Sequence, residues 1–223
     1  PQLRCRENRF FQWENFSKGL VAFSFGMAKQ VLLADTLGQA ADWGFTWVEG
    51  MNTPNAFLVM LCYTLQLYFD FSGYCDMATD LGLFFNIQLP QNFHSPYRAF
   101  SVREFWKRWH MTLTRFFTRY LYIPLGGSRK GRLRTYGNTL LVFLVSGLWH
   151  GANWTFLVWG GLHGLCQAAE NHLPPRRGGR IRHALRMAGA FGVLVGAFVI
   201  FRASSLSNAA QIFRGILCNG GHA

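Results

Sequence analysis

The sequence predicts an all-α integral membrane protein with several membrane-spanning helices. Half of the 223 residues are hydrophobic and 17% are aromatic, whereas only 14% are charged, compared with about 25% in soluble domains. Apolar runs alternate with polar and basic stretches, so the mean hydropathy is only +0.10. This alternation predicts a multi-pass helical fold that also contains an amphipathic interfacial helix and irregular or re-entrant segments.

The excess of basic residues is typical of a protein that contacts anionic lipid headgroups. Lys and Arg total 22 against 10 Asp and Glu, a formal net charge of +12, and the cations gather beside apolar runs at 129–134 and 176–186. This distribution follows the positive-inside rule. We therefore expect membrane lipids and not nucleic acid as a partner, with both basic loops on the cytoplasmic side.

Three segments make up the first part of the chain. Residues 19–38 have helical periodicity but carry one Lys and one Asp, which predicts a tilted or interfacial helix. The apolar stretch between Glu49 and Asp70 is long enough to cross a hydrocarbon core of about 30 Å, so we expect a span that ends at Asp70. Residues 70–90 are too polar to face lipid and predict a short helix buried in protein or in a water-filled recess.

Residues 101–121 predict the best-defined helix. Ser101 and Glu104 form a capping box at its start. Aromatic residues follow one face and arginines the opposite one, which is the pattern of an amphipathic helix lying in the membrane interface. His110 lies at the boundary between these faces, and an interfacial role alone does not account for it.

Two histidines interrupt the apolar region near the centre of the chain. Residues 135–169 contain no Asp, Glu, Lys or Arg, yet include His150 and His163 in the run SGLWHGANWTFLVWGGLHG. We expect a helical hairpin whose break lies near Gly147, Gly151 and Asn153. A last span follows at 187–201, where a GxxxG pattern at Gly192 and Gly196 predicts helix packing.

His150 is the first candidate catalytic residue. Placing an ionisable side chain inside a membrane segment is costly, so such a residue needs a partner or a cavity. Burial favours the neutral imidazole, which can accept a proton as a general base. The indoles of Trp149 and Trp154, the amide of Asn153 and nearby backbone N–H groups are candidate donors to an oxyanion. His163 is instead predicted to be a hydrogen-bonded core residue.

Other patterns indicate no further site. Loop or terminal positions argue against a functional role for four histidines, which are His94, His172, His183 and His222. The acids Asp70, Asp76 and Asp80 have poor spacing for metal ligands, so we expect caps and a polar network and no metal site. The five cysteines form no CxxC pair, and no GxSxG, P-loop or HExxH motif occurs.

Four separated blocks resemble the membrane-bound O-acyltransferase family. They are YFDFSGYCDMATDLG, NFHSPYRAFSVREFWKRWHMTLTRFF, YIPLGGSRKG and SGLWHGANWTFLVWGGLHG, and they are most similar to the bacterial branch of alginate O-acetylation proteins. The resemblance implies that residues 1–223 form part of a single domain of this family, without its N-terminal spans and C-terminal end. It also implies that His150 is the essential histidine of the WHG block and that His110 is a second functional histidine.

The family resemblance implies an O-acetyltransferase of the bacterial cytoplasmic membrane. The expected donor is acetyl-CoA, with no tightly bound cofactor, and the acetyl group passes to an alginate-like polysaccharide through a periplasmic partner of the SGNH hydrolase type. His150 would deprotonate the acceptor hydroxyl, while His110 would orient the donor or assist proton transfer. The candidate ligands of the donor phosphates are Arg103, Lys107, Arg108 and Arg115.

Three alternatives are compatible with the same sequence. D-alanyl transfer to teichoic acid, within the same family, would use a thioester on a carrier protein. A transporter or channel whose histidines relay protons would show flux without acyl turnover, although the paired interrupted helices typical of such folds are not evident. A non-catalytic membrane scaffold would tolerate the loss of both His150 and His110.

Overall fold

A computed structural model describes residues 2–4, 8, 10–48, 51–170 and 179–218, and these contain helices and turns without a β-strand. The chain forms two compact units, Pro1–Asp42 with Cys62–Asn92, and Trp43–Leu61 with Phe93–Ala223. The α-helices are α1 (Trp13–Ala28), α2 (Asp35–Thr46), α3 (Thr53–Phe84), α4 (Val102–Trp106), α5 (Met111–Phe117), α6 (Arg132–His150), α7 (Trp154–Glu170), α8 (Arg180–Arg202) and α9 (Leu206–Cys218). Two π-helical segments, Lys29–Ala34 and Thr118–Tyr122, follow α1 and α5, and short 3₁₀ helices cover Gln2–Arg4 and Pro96–Arg98.

Three helical segments are long and apolar enough to cross a membrane. Within the described part of the chain they are Trp13–Thr46, Thr53–Phe84 and Arg180–Arg202. The shortest has 23 residues and, at about 1.5 Å per residue, exceeds a hydrocarbon core of about 30 Å. The prediction of an all-α membrane fold is therefore confirmed.

The expectation that a span ends at Asp70 is wrong, because α3 continues to Phe84. Two of its acidic side chains are paired within the first unit. Gln30 donates a hydrogen bond of 3.1 Å to Asp70, and Lys29 forms an ion pair with Asp76. Because Lys29 neutralises Asp76 and Gln30 donates a hydrogen bond to Asp70, α3 can carry both acids without a break.

The predicted helix over 19–38 lies within a longer one. Its residues belong to the continuous helical segment Trp13–Thr46, which includes the π-helical turn that carries Lys29. A Cβ atom on Gly73 of α3 would lie 2.7 Å from the carbonyl oxygen of Gly26. The two helices therefore approach closely enough to exclude larger side chains at this crossing.

The prediction of one continuous helix over 101–121 is wrong. The segment breaks between Trp106 and Met111, where His110 adopts a left-handed backbone conformation with φ 43° and ψ 53°. Left-handed backbone is uncommon for residues other than glycine. The break separates α4, whose aromatic side chains pack inside the second unit, from α5, in which Phe116 is 53% exposed.

The start of α4 is held by two carboxylates and a hydroxyl. The Ser101 half of the predicted capping box is confirmed, since the backbone N–H of Glu104 donates to Ser101 Oγ over 3.1 Å. The Glu104 carboxylate accepts from the backbone N–H of Phe100 over 2.9 Å and not from that of Ser101. The last residue of α7, Glu170, accepts hydrogen bonds of 2.8 Å and 2.9 Å from the backbone N–H groups of Val102 and Arg103. Negative charge at a helix N-terminus is favourable, so Glu170 fastens α4 to the end of α7.

Helices α6 and α7 form the predicted hairpin, and the turn falls at residues 151–153. Their backbones are in direct contact at two glycines. A Cβ atom on Gly147 would collide with the carbonyl oxygen of Phe156, and one on Gly160 would collide with that of Phe143. The hairpin therefore depends on the absence of a side chain at both positions.

The predicted basic loop at 176–186 is helical where the structure describes it. Arg180, Arg182 and Arg186 lie in the first turns of α8 and are exposed. Arginine favours helix, and no Gly or Pro separates these residues from the apolar run that follows. Residues 176–178 of the predicted loop, together with His172 and His222, lie outside the described residues.

Candidate active site

His150 is the last residue of α6 and lies among aromatic rings from three helices. Its ring centroid is 5.0 Å from that of Trp149, 5.3 Å from Trp159 and 5.0 Å from Phe201. The ring of Phe156 lies 6.3 Å away. The imidazole is half-buried, so the hairpin and α8 together hold an ionisable group in apolar surroundings.

His110 lies beside the same aromatic group. Its ring centroid is 6.5 Å from that of Trp149, whose other neighbour is His150. His110 is outside the three candidate spans, and burial, followed by the nearby charge of His150, lowers its pKa to about 4. The imidazole is therefore neutral near pH 7. The structure brings together the two histidines that the sequence proposed as catalytic.

A cavity of about 330 Å³ lies against α5, α6 and α7. The lining residues contributed by α6 include Thr139, Phe143 and Ser146. Residues three or four apart share one face of a helix, and His150 is the next position on this face. The cavity therefore follows the side of α6 that ends at the candidate base.

The cavity wall is rich in hydroxyl and amide groups. The polar lining residues are Arg103, Thr114, Thr118, Tyr122, Thr139, Ser146 and Gln167. Thr118 and Tyr122 bound the π-helical segment that follows α5, and such segments occur frequently at functional sites. Apolar side chains supply the larger share of the exposed wall, so the cavity suits a ligand that has both apolar and polar parts.

Arg103 brings a cation to this cavity. Its Nη2 atom is buried and has no hydrogen-bond partner in the structure, although its backbone N–H is held by Glu170. A buried guanidinium donor without an acceptor is energetically costly. Arg103 is therefore suited to a ligand that brings an acceptor oxygen into the cavity.

The other three predicted cations do not line the cavity. Arg108 donates from Nη2 and Nε to Glu104 over 2.7 Å and 3.1 Å, and from Nη1 to the carbonyl of His94 over 3.3 Å. Arg115 donates from Nε to the carbonyl of Met111 over 3.2 Å. Lys107 is exposed. The structure thus separates Arg103 from the rest of the proposed phosphate-binding set.

The predicted oxyanion donors lie in or beside the hairpin turn. Trp149 and Trp154 are 60% and 72% exposed. The side-chain oxygen of Asn153 accepts from the backbone N–H of Thr155 over 3.3 Å, and its amide nitrogen donates to the carbonyl of Ser204 over 3.3 Å. Asn153 therefore fixes the start of α7.

Sequence reasoning missed a buried polar stripe on α7. Thr155, Trp159 and His163 are each at most 2% exposed, and Thr155 Oγ1, Trp159 Nε1 and His163 Nε2 have no hydrogen-bond partner in the structure. Their spacing of four residues places them on one helix face, and Gln167, the next position, lines the cavity. This spacing was visible in the sequence. The expected hydrogen bond of His163 is confirmed, because Nδ1 accepts from Trp106 Nε1 over 3.3 Å.

The described residues offer no evident metal centre, because no three His, Cys, Asp or Glu side chains among them lie close enough to share an ion. Fold and site thus define a helical membrane protein in which two histidines flank Trp149 and a separate cavity lies along the same face of α6, with neither histidine in its lining. The chain belongs to the membrane-bound O-acyltransferase family, whose model matches residues 2–210. The resemblance found in the four sequence blocks is therefore confirmed.

Several named bacterial proteins are similar to this chain. It is 44% identical over 220 residues to the peptidoglycan O-acetyltransferase of Helicobacter pylori, covering 97% of this chain and 42% of that protein. It is 44% identical over 219 residues to the "Probable alginate O-acetylase AlgI" of Pseudomonas fluorescens, covering 96% and 44%. A match to the teichoic acid D-alanyltransferase of Bacillus subtilis is 29% identical over 121 residues, covering 51% and 31%. The chain thus spans less than half the length of each of these relatives.

Proposed function

We propose that this chain carries the acyl-transfer site of a bacterial O-acetyltransferase in the cytoplasmic membrane. The protein would move an acetyl group from a cytoplasmic thioester donor to hydroxyl groups of an extracytoplasmic polysaccharide. The observation that carries this proposal is the pairing of His150 with His110 around Trp149, on the helix face that a polar cavity follows. The names of two relatives, the peptidoglycan O-acetyltransferase of Helicobacter pylori and the probable alginate O-acetylase of Pseudomonas fluorescens, support the same acyl group.

The proposed mechanism uses His150 as a general base. Its neutral imidazole takes the proton of the acceptor hydroxyl while the oxygen attacks the thioester carbonyl. A carbon–oxygen bond forms, the carbon–sulfur bond breaks, and the imidazolium returns the proton to the departing thiolate. His110, which is neutral near pH 7, would orient the donor or assist this proton transfer.

The donor is proposed to be acetyl-CoA, with its thioester end in the cavity. A volume of about 330 Å³ is near the lower end of ligand pockets, which span about 300–1,000 Å³. It therefore suits part of the donor and not the whole molecule. Hydroxyl groups along the wall would bind amide and carbonyl groups of the donor, and Arg103 would bind an anionic or carbonyl oxygen.

Changing Arg103 to Gln is expected to raise the apparent Michaelis constant for the acetyl donor about tenfold. The reason is that a charge-assisted hydrogen bond contributes about 1.5–3 kcal/mol, and about 1.4 kcal/mol is a factor of ten in binding. The apparent Michaelis constant would be measured from initial rates at varied donor concentration in membranes. Lys107→Gln is the matched control, because Lys107 is exposed and does not line the cavity. Equal Michaelis constants for Arg103→Gln and wild type would remove Arg103 from the donor site.

The acceptor side is proposed to involve a periplasmic protein of the SGNH hydrolase type, which receives the acetyl group and passes it to an alginate-like polysaccharide. Membranes containing the full-length protein, supplied with radiolabelled acetyl-CoA, would test the whole proposal. Label should appear on added polysaccharide, or on the partner when polysaccharide is withheld. No transfer above that of membranes lacking the protein would refute it. Transfer of D-alanine from a carrier-protein thioester in place of acetyl would establish the alternative activity within the family.

The basic segments at 129–134 and 180–186 should both face the cytoplasm. This follows from the positive-inside rule and from the hairpin of α6 and α7, whose two ends lie on the same side of its turn. Cysteines introduced as Lys130→Cys and Arg182→Cys, in a background without native cysteines, should resist an impermeant thiol reagent in intact cells. Both should react after permeabilisation. Reaction of only one site in intact cells would show that the segments lie on opposite sides.

A further inference from the structure

We infer that His163 is a positioning residue of the acyl-transfer site, acting through Trp106. This inference rests on the proposed function for its catalytic consequence. His163 itself would not touch the donor or the acceptor. It would hold the indole of Trp106 in the cavity wall and, through the backbone of Trp106, the break that carries His110.

The hydrogen bond between these residues fixes the protonation of His163. Its side chain is fully buried, with a relative exposure of 0%. Trp106 Nε1 lies 3.3 Å from His163 Nδ1, and the two ring planes are nearly perpendicular at 88°. An indole N–H can only donate, so Nδ1 is the acceptor and the proton of the neutral imidazole is on Nε2.

Trp106 connects His163 to both parts of the candidate site. Its indole lines the cavity, and its carbonyl accepts a hydrogen bond of 3.2 Å from Thr114 Oγ1. That bond spans the left-handed break at His110, because Trp106 ends α4 and Thr114 lies in α5. A shift of Trp106 would therefore change the cavity wall and the placement of His110 together.

His163 also packs against Trp159, the aromatic ring that neighbours His150. The ring of Trp159 lies 5.0 Å from His163 and 5.3 Å from His150. His163 therefore packs against a ring that in turn packs against the candidate base. A role for His163 as a second base is disfavoured, because its Nδ1 already accepts a hydrogen bond and its Nε2 is buried.

The test exploits the difference between the two ring nitrogens. In His163→Asn the amide oxygen can take the place of Nδ1 as the acceptor for Trp106, whereas His163→Gln places its amide near Nε2, and His163→Leu has no polar group. We expect the Asn variant to keep turnover within about threefold of wild type. Turnover should fall about tenfold in the Leu and Gln variants, since a buried donor is left unpaired. The Michaelis constant for the donor should rise in the Leu and Gln variants and stay near wild type in the Asn variant, because Trp106 lines the cavity proposed for the donor.

A second variant confirms that the effect passes through Trp106. Trp106→Phe removes the donor but keeps an aromatic ring, and it should lower turnover as much as His163→Leu. The double variant should be no worse than either single one, because both changes remove the same bond. Additive losses, or full turnover in His163→Leu, would refute the positioning role. Activity in His163→Gln but not in His163→Asn would instead indicate direct participation of the Nε2 position.

Thermal unfolding in detergent separates this inference from the proposed function. His163→Leu, Trp106→Phe and their double variant should show non-additive changes in unfolding temperature whether or not any acyl group is transferred. If wild-type membranes transfer no acyl group but this coupling is present, the proposed function fails and the hydrogen bond is still established. If acyl transfer is present but the coupling is absent, the positioning inference fails alone.

Discussion

Replacing His150 by alanine should reduce acetyl transfer at least about a hundredfold while leaving the protein in the membrane. A positioned general base typically contributes 10² to 10⁴-fold to the rate, and the half-buried imidazole at the end of α6 has the environment that such a base requires. The measurement is label transferred from acetyl donor to polysaccharide, normalised to the amount of protein in the membrane fraction.

His94→Ala provides the control for the loss of an imidazole. His94 is exposed, and the hydrogen bonds described for it involve its backbone N–H and carbonyl groups. This variant should transfer acetyl groups at the wild-type rate. Transfer by His150→Ala within a factor of about three of wild type would exclude the general-base role and favour a transporter or scaffold.

Replacing Gly160 by alanine should destabilise the hairpin strongly, because the added methyl group would overlap the carbonyl oxygen of Phe143. Overpacking of this kind typically costs about 1–3 kcal/mol and occasionally more. The contact is with backbone, so it cannot be relieved by rotating a side chain. We expect a lower unfolding temperature in detergent and less protein in the membrane.

The neighbouring Gly161→Ala change is a closely matched control. A Cβ atom at Gly161 would lie 3.9 Å from Leu144 Cδ2, which is an ordinary contact distance. Alanine also favours helix over glycine, so the unfolding temperature should stay equal or rise. If both variants unfolded at the same temperature, direct backbone contact between α6 and α7 would not limit the stability of the hairpin.

Local signals in the sequence were sufficient to predict two features of the second unit. The Ser101 half of the capping box involves residues three positions apart, and the turn at residues 151–153 follows a glycine at the end of an apolar run. Both depend on short-range chemistry. They were therefore predicted correctly.

No local sequence signal marks the break before α5. No Gly or Pro occurs between residues 101 and 121, so helical periodicity predicted a continuous helix. The break accompanies long-range packing in which Trp109 stacks near Phe105 and contacts Phe93 and Phe198. These partners lie up to 89 residues away in sequence from Trp109 and cannot be identified from periodicity.

The candidate site was predicted only in part, because long-range packing also decides which of its residues lie together. His150 and His110 were identified from their residue type and unusual surroundings, and by family resemblance. The four cations proposed to bind the donor phosphates are not kept together, since Arg103 lines the cavity and Arg108 pairs with Glu104. The predicted packing glycine Gly192 has no atom within 4 Å of its Cβ position in the structure, whereas close contacts occur at Gly147 and Gly160 in the hairpin and between Gly26 and Gly73.

The ion pair between Lys29 and Asp76 has a consequence for how the protein enters the membrane during synthesis. The two residues are 47 positions apart, and ribosomes add about 5–20 residues per second. For several seconds Lys29 therefore has no carboxylate partner, and a lone lysine at the centre of a spanning helix costs about 2.5–3.5 kcal/mol on insertion scales. The first helix should remain near the bilayer surface until α3 has been made. The two segments should then enter the lipid together, with Lys29 neutralised by Asp76, so their integration is expected to be coupled and not sequential.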